Sequence, residues 1–218
     1  MIVLGLDGAL GRFSCALEGD CGEDCTFDLP AKMALEGGLS AISACMAEAK
    51  VTPGQIDRVA VGIGPGTFTG LRIAIAFAKS LAAAWRKPLC GVSSFDALEA
   101  GYRDTGPLLT IVRGRSGVIS ARYRAGNTTA RSSGYVADVL AELAPSFEGA
   151  SLTVLGASED VLAALGERGQ QVHSLQPVYP SPARAIARLA AAREPARSAH
   201  EIRADYGELP AARVPKPL

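Results

Sequence analysis

The feature of this sequence best suited to chemistry is a glycine-rich stretch between a short apolar run and a long apolar segment. Glycines allow a backbone to approach another backbone or a ligand closely, and the unpaired N–H groups at a helix N-terminus suit an anion. Hydroxyl side chains at such a turn cap the helix or bond a phosphate. The stretch contains Gly62, Gly64, Pro65, Gly66, Thr67, Thr69, Gly70 and Arg72.

This stretch matches neither of the two common nucleotide-binding motifs. No Gly-Lys-Ser/Thr sequence ends it, which excludes a P-loop, and its spacing and place in the chain exclude the dinucleotide fingerprint. Two interpretations stay open: a loop that accommodates a phosphate, and a tight connection that holds the following helix against a sheet.

A second candidate site is Asp7-Gly8, at the end of the first apolar run. Its position resembles the loop with which actin-like and sugar-kinase-like proteins hold a metal-bound phosphate. Such a loop needs a carboxylate for the metal and hydroxyl or small residues for the phosphate. Because Ala9 and Leu10 follow, the hydroxyl donors are absent. We interpret Asp7 and Gly8 as a degraded phosphate loop that forms a plain turn.

The other residues of catalytic type form no motif. His173 and His200 lie far apart, and no His-x-x-x-His pair or Ser-His-Asp arrangement is present. The sequence therefore predicts no metal site and no catalytic residue. An odd number of cysteines at irregular spacings predicts reduced thiols in a cytoplasmic protein. They are Cys15, Cys21, Cys25, Cys45 and Cys90.

Composition narrows the class of protein. Of 218 residues, 48% are hydrophobic and 20% charged, and 22 basic residues balance 22 acidic ones. This is typical of a soluble globular protein, and it leaves no surplus of cations for binding nucleic acid. A role in RNA chemistry would therefore run through a partner. We expect no membrane span, because no apolar run of about 18 residues occurs, and no secretory signal is apparent.

Hydrophobic patterning predicts the elements that position the glycine-rich stretch. Apolar runs predict strands at 2–6, 12–17, 59–63, 88–92, 108–112, 118–123 and 152–155, and helical spacing predicts helices at 35–49, 73–85, 93–100, 136–143, 160–165 and 183–192. We expect Ser94 to cap the third helix. Polar, turn-forming residues at 103–107 predict a boundary between two lobes, 1–103 and 104–218. The order of elements predicts an α/β fold with mixed sheets flanked by helices.

The segment 59–84, VAVGIGPGTFTGLRIAIAFAKSLAAA, resembles the signature of the bacterial TsaB (YeaZ) family. That signature is a strand, then Gly-x-Gly-Pro-Gly-Ser/Thr-Phe-Thr-Gly-Leu/Val-Arg, then a helix of small residues. The similarity extends to PLCGVSS at 88–94 and to IVLGLD and SCAL in the first hairpin. It is strong in the first lobe and weak beyond it.

The resemblance implies an actin-like ATPase (ASKHA, ribonuclease H-like) fold of two lobes. It also implies a non-catalytic scaffold subunit that pairs with a TsaD-type catalytic subunit and a TsaE-type ATPase. Together these would threonylcarbamoylate adenosine 37 of tRNAs that read ANN codons. ATP and metal are then expected on the partner subunits, and contact with tRNA only indirectly.

A scaffold acts through a surface, and two helices offer one. Small side chains allow close helix–helix approach with little entropy to lose. We therefore predict a helical interface with the catalytic subunit, or with a second copy in a homodimer. The alternative is that these residues pack on the chain's own sheet. The predicted interface residues are Leu39, Ile42, Met46, Ala74, Ala78 and Ala82.

Three departures from the family pattern concern nucleotide binding and the second lobe. No histidine precedes the first helix, Arg113-Gly114-Arg115 replaces Asp-Ala-Arg, and the tail at 204–208 differs from Pro-x-Tyr-x-Arg. Two other functions stay as alternatives. A stand-alone actin-fold phosphotransferase would need Asp7 and the glycine-rich stretch to hold a nucleotide, and a metallopeptidase-like protein would need a cluster of metal ligands.

Overall fold

The computed structural model describes residues 1–20 and 25–207. Cys21 and the tail from Glu208 onward lie outside the described residues.

The first sheet is built around apolar strands that are buried on both faces. Its order is β3-β2-β1-β4-β5, with β1 (Val3–Asp7) and β4 (Arg58–Gly64) parallel at the centre. The strands β2 (Arg12–Glu18) and β3 (Thr26–Pro30) add antiparallel, and β5 (Leu89–Ser93) pairs parallel with β4.

Helices cover both faces of the first sheet. Because side chains alternate along a strand, Leu4 and Leu6 join a core with α1 (Ala34–Glu48) and α2 (Phe68–Trp85), whereas Val3 joins the opposite one. That opposite core is closed by α3 (Ser94–Glu99) and by the last helix of the described chain, α6 (Pro182–Ala191).

The second sheet has the order β10-β9-β6-β7-β8 and its own core. Its strands are β6 (Leu108–Arg113), β7 (Val118–Ala125), β8 (Thr128–Tyr135), β9 (Leu152–Leu155) and β10 (Val172–Leu175). Two helices belong to this lobe, α4 (Val136–Phe147), which packs on β7 and β8, and α5 (Glu159–Glu167).

The predicted α/β class with two mixed sheets is confirmed, and the differences from the prediction have physical reasons. Strands β3, β8 and β10 were not predicted, because each lies at a sheet edge and exposes polar side chains. Helix α2 begins at Phe68 rather than at residue 73. The cap of α3 is Ser93, which accepts from the Phe95 N–H, while Ser94 is buried. Helix α6, which follows the predicted lobe boundary in sequence, packs on β1, β2 and β4 of the first sheet.

A cluster of charges joins the two lobes. The Arg122 guanidinium on β7 donates to Asp96 at 2.7 Å and is 2.9 Å from a Glu99 oxygen, both on α3. Arg193 reaches the other Asp96 oxygen at 2.9 Å. Burial alone would raise the pKa of Asp96, but the bonds to Arg122 and Arg193 outweigh it and lower that pKa. The paired charges fix the position of the second sheet against α3.

Helix α2 is the one helix among the described residues that is long and apolar enough, by length and composition alone, to cross a membrane. Core helices of globular proteins meet the same criterion, and the inner side of α2 packs on β4 and β1. Only 28% of it is buried, however. Its outer side is largely exposed, and Tyr206 contacts Phe68 and Arg72 at its N-terminal end.

Candidate functional site

The glycine-rich stretch packs directly on the turn that follows β1. A side chain at Gly70 would place its Cβ 1.9 Å from the Gly8 carbonyl oxygen, and one at Gly66 would lie 2.3 Å from the Ala9 oxygen. Thr67 fixes the contact, because its N–H donates to Ala9 at 2.9 Å and its hydroxyl donates to Gly8 at 2.9 Å. The glycine-rich stretch and the turn after β1 are therefore packed backbone against backbone.

The first two glycines of the stretch also serve close packing. A Cβ at Gly62 would lie 2.3 Å from Asp7 Oδ1, and one at Gly64 would lie 2.1 Å from the Asp205 carbonyl oxygen. Gly64 has φ +100, a conformation that other residues resist, and the peptide bond to Pro65 is cis. Of the two interpretations of this stretch, the geometry favours the tight connection, since backbone occupies the room that a phosphate would need.

Asp7 is enclosed rather than presented to a ligand. Its side chain is fully buried, Oδ2 accepts from the Leu10 N–H at 3.1 Å, and Oδ1 has no hydrogen-bond partner among residues 1–20 and 25–207. Burial raises the pKa of Asp7 to about 6, against the opposing backbone hydrogen bonds from Leu10, Ala9 and Gly8. The residues here do not fit a metal-bound phosphate, because the carboxylate faces Gly62 and no solvent-accessible space.

We predict that Asp7→Asn stabilises the chain at neutral pH. The folded chain holds this proton up to about pH 6, whereas an unfolded Asp releases it near pH 3.8. The wild type therefore loses stability as pH rises through this interval, by about 3 kcal/mol if Asp7 alone accounts for it. We expect Asp7→Asn to raise the free energy of unfolding by about 1–3 kcal/mol at pH 7.5 and by less at pH 4.5. Urea titrations at both pH values measure this, and an equal difference at the two values contradicts it.

Most of the predicted interface residues face inward. Leu39 is half exposed, but five of the six are buried in the core under α1 and α2, which corrects the prediction for them. Alanine was the reason for predicting an interface, and it serves instead to bring α2 close to its own sheet. The five are Ile42, Met46, Ala74, Ala78 and Ala82.

The outward sides of the same two helices nevertheless carry exposed apolar side chains among polar ones. Leu35 and Leu39 on α1 are 68% and 50% exposed. On α2, Ile73 is partly buried, and the exposed positions include four small or apolar residues. We call this surface the α1/α2 face. It consists of Leu35, Leu39, Phe68, Ile73, Ala76, Ala83 and Ala84.

The remaining candidate groups from the sequence are the cysteine thiols and the possible metal ligands. Cys15, Cys25, Cys45 and Cys90 are buried, and none of these four forms a disulfide. A hydrogen bond with Cys15 and then burial raise the pKa of Cys45, which keeps it in the unreactive thiol form. Within the two described ranges, no group of three or more His, Cys, Asp or Glu residues is placed to hold a metal ion.

One cluster of side chains, formed by Arg72, Phe68 and Tyr206, was not predicted from the sequence. The Arg72 guanidinium lies 3.9 Å from the Phe68 ring centroid, and its Nε donates to the Tyr206 hydroxyl at 3.2 Å. The Phe68 and Tyr206 rings are 4.8 Å apart. Tyr206 lies 134 residues from Arg72, so no local pattern could have predicted this contact.

Comparisons with known proteins identify the family. Residues 35–175 match the family TsaD, described as tRNA N6-adenosine threonylcarbamoyltransferase. A segment of the chain is 32% identical over 65 residues to the tRNA threonylcarbamoyladenosine biosynthesis protein TsaB of Bacillus subtilis, covering 30% of this chain and 28% of that protein. The chain belongs to the TsaD family, as a TsaB/YeaZ-type member. The resemblance stated from the sequence is thereby confirmed.

A solved structure and a longer relative complete the comparison. The chain superposes on YeaZ from Pseudomonas aeruginosa with a TM-score of 0.70 and 21% identity, over 94% of this chain and 99% of that one. The chain therefore has the fold of YeaZ, with two mixed five-stranded sheets flanked by helices. An uncharacterized protein of Mycobacterium leprae is 33% identical over 192 residues, covering 85% of this chain. The chain spans 50% of the length of that relative.

Proposed function

We propose that this TsaB/YeaZ-type chain is a non-catalytic subunit in the synthesis of threonylcarbamoyladenosine at position 37 of tRNAs that read ANN codons. It pairs with a TsaD-type catalytic subunit, and a TsaE-type ATPase acts with the pair. The observation that carries the proposal is the α1/α2 face, a surface with exposed apolar side chains on two long helices, beside a glycine-rich loop that packs on backbone.

The family match supports the choice of partner. Residues 35–175, which match the threonylcarbamoyltransferase family, include both helices of the face. A catalytic subunit of the same family would carry equivalent helices, so the two chains can meet around a pseudo-two-fold axis. The same face would serve a homodimer, and we propose that the catalytic subunit competes with a second copy for it.

The glycine-rich loop and Asp7 support a non-catalytic role. A stand-alone phosphotransferase needs a carboxylate that reaches a metal-bound phosphate, and Asp7 is buried beneath Gly62. A metallopeptidase needs a cluster of ligands, which the described residues do not supply. We propose that ATP and metal bind on the partner subunits, that tRNA is contacted only indirectly, and that the chain is cytoplasmic.

The decisive experiment is binding of the purified chain to the catalytic subunit of the same organism. We expect Leu39→Glu to weaken the complex at least about 100-fold, because a carboxylate in place of this exposed apolar side chain would be desolvated against an apolar partner surface. Calorimetry measures the dissociation constant, and threonylcarbamoyladenosine in tRNA, assayed with the ATPase present, should fall in parallel.

The matched control is Val178→Glu, which makes the same kind of change at an apolar residue that is 57% exposed outside the face. It should bind as the wild type does. The proposal is contradicted if the wild-type chain forms no complex, if Leu39→Glu binds normally, or if the chain alone modifies tRNA.

A further inference from the structure

We infer that Arg72 is a preformed receptor for an acidic side chain of the catalytic subunit, at the end of the α1/α2 face nearest the glycine-rich loop. This rests on the proposed pairing and adds the chemical nature of one contact to it. The evidence is that Phe68 and Tyr206 hold the Arg72 side chain in place, and that its terminal nitrogens have no partner among the described residues.

The Arg72 side chain is fixed although it is exposed. One face of its guanidinium stacks on the Phe68 ring at 3.9 Å, and Nε is held by the Tyr206 hydroxyl at 3.2 Å. An arginine on a surface ordinarily loses much rotamer freedom when it binds an anion. Here the two rings have already restricted it, so less is lost on binding.

The two terminal nitrogens of Arg72 have no hydrogen-bond or ion-pair partner in the described parts of the chain. The acid next to Tyr206 in sequence, Asp205, is engaged by Arg131 at 3.1 Å and by the Gly207 N–H at 2.9 Å. Residues 1–20 and 25–207 therefore hold the Arg72 cation in place, and none of their carboxylates pairs with it. A planar pair of N–H donors matches a carboxylate with two parallel hydrogen bonds.

The place of Arg72 on α2 identifies the occupant as a protein partner. Phe68, Arg72 and Ala76 follow one another at intervals of four residues, so they share one side of the helix. All three are exposed. A partner that covers the apolar part of the face would also cover Arg72, and an aromatic ring beside an arginine is typical of residues that dominate interface affinity.

The test is the dissociation constant for the catalytic subunit at low and high salt. We expect Arg72→Ala to weaken binding about 30-fold at low salt and to flatten its salt dependence. Arg72→Lys should still lose about 10-fold, because an ammonium neither stacks nor forms two parallel bonds. Tyr206→Phe keeps the ring and should lose only about 3-fold. Arg168→Ala, at an exposed arginine of the second lobe, is the control and should bind as the wild type does.

Two outcomes would overturn this inference. One is wild-type affinity and salt dependence in Arg72→Ala while Leu39→Glu still abolishes the complex, which would leave the proposed pairing intact. The other is unchanged subunit affinity with weaker binding of tRNA to the assembled complex, which would make the anion a phosphate. Normal binding by Leu39→Glu would instead refute the proposed pairing. Circular dichroism of each variant checks that it is folded.

Discussion

Gly70→Ala is expected to destabilise the chain by about 3 kcal/mol or more, although alanine is the better helix former. The added Cβ would lie 1.9 Å from the Gly8 carbonyl oxygen. The backbone that carries each atom is anchored, at Gly8 by the hydrogen bond from Thr67 and at position 70 by the first turn of α2. The clash can be relieved only if the turn after β1 and helix α2 move apart, and this movement would open the core between them. Urea or thermal unfolding measures the loss.

Gly166→Ala provides the matched control for Gly70→Ala. Gly166 also lies in a helix, α5, but a Cβ there would meet no atom within 4 Å. We expect this substitution to stabilise the chain by about 0.5–1 kcal/mol. If both variants changed stability in the same direction, close packing would not be the reason for glycine at position 70.

The contrast between these two glycines shows how far the sequence could predict the fold. An apolar run, a glycine-rich turn and an alanine-rich segment define strand, connection and helix locally, and the structure has them in that order. What the glycines touch was not predictable, since Gly8 lies more than sixty residues from Gly70. Edge strands such as β8 escaped because their exposed polar side chains carry little hydrophobic signal.

Sequence reasoning could propose two helices for the candidate interface, but it could not predict which of their residues point outward. Sequence reasoning selected α1 and α2 as the helices of an interface, which stays a proposal, and their outer sides carry exposed apolar side chains. Helical periodicity groups residues by side, but it does not say which side meets the sheet when both are apolar. Ala78 and Ala76 illustrate this, because one is fully buried and the other exposed on the same alanine-rich helix.

The second large expected effect is the loss of stability in Ala78→Glu, compared with Ala76→Glu on the same helix. Ala78→Glu places a carboxylate in the core between α2 and the first sheet, where it has no partner. We expect a loss of more than about 4 kcal/mol, and therefore insoluble or unfolded chain. Ala76→Glu makes the same change on the α1/α2 face and should alter the free energy of unfolding by no more than about 0.5 kcal/mol.

The informative result is the combination of folding and binding in the Ala76 and Ala78 variants. Ala76→Glu should remain folded by circular dichroism yet fail to bind the catalytic subunit, because its charge would be trapped against an apolar partner surface. Ala78→Glu cannot distinguish an interface residue from a core residue, since loss of fold also abolishes binding. A folded Ala76→Glu that still forms the complex would show that the exposed side of α2 lies outside the interface. A soluble, stable Ala78→Glu would show that the helix packs on its sheet by another side than the one described.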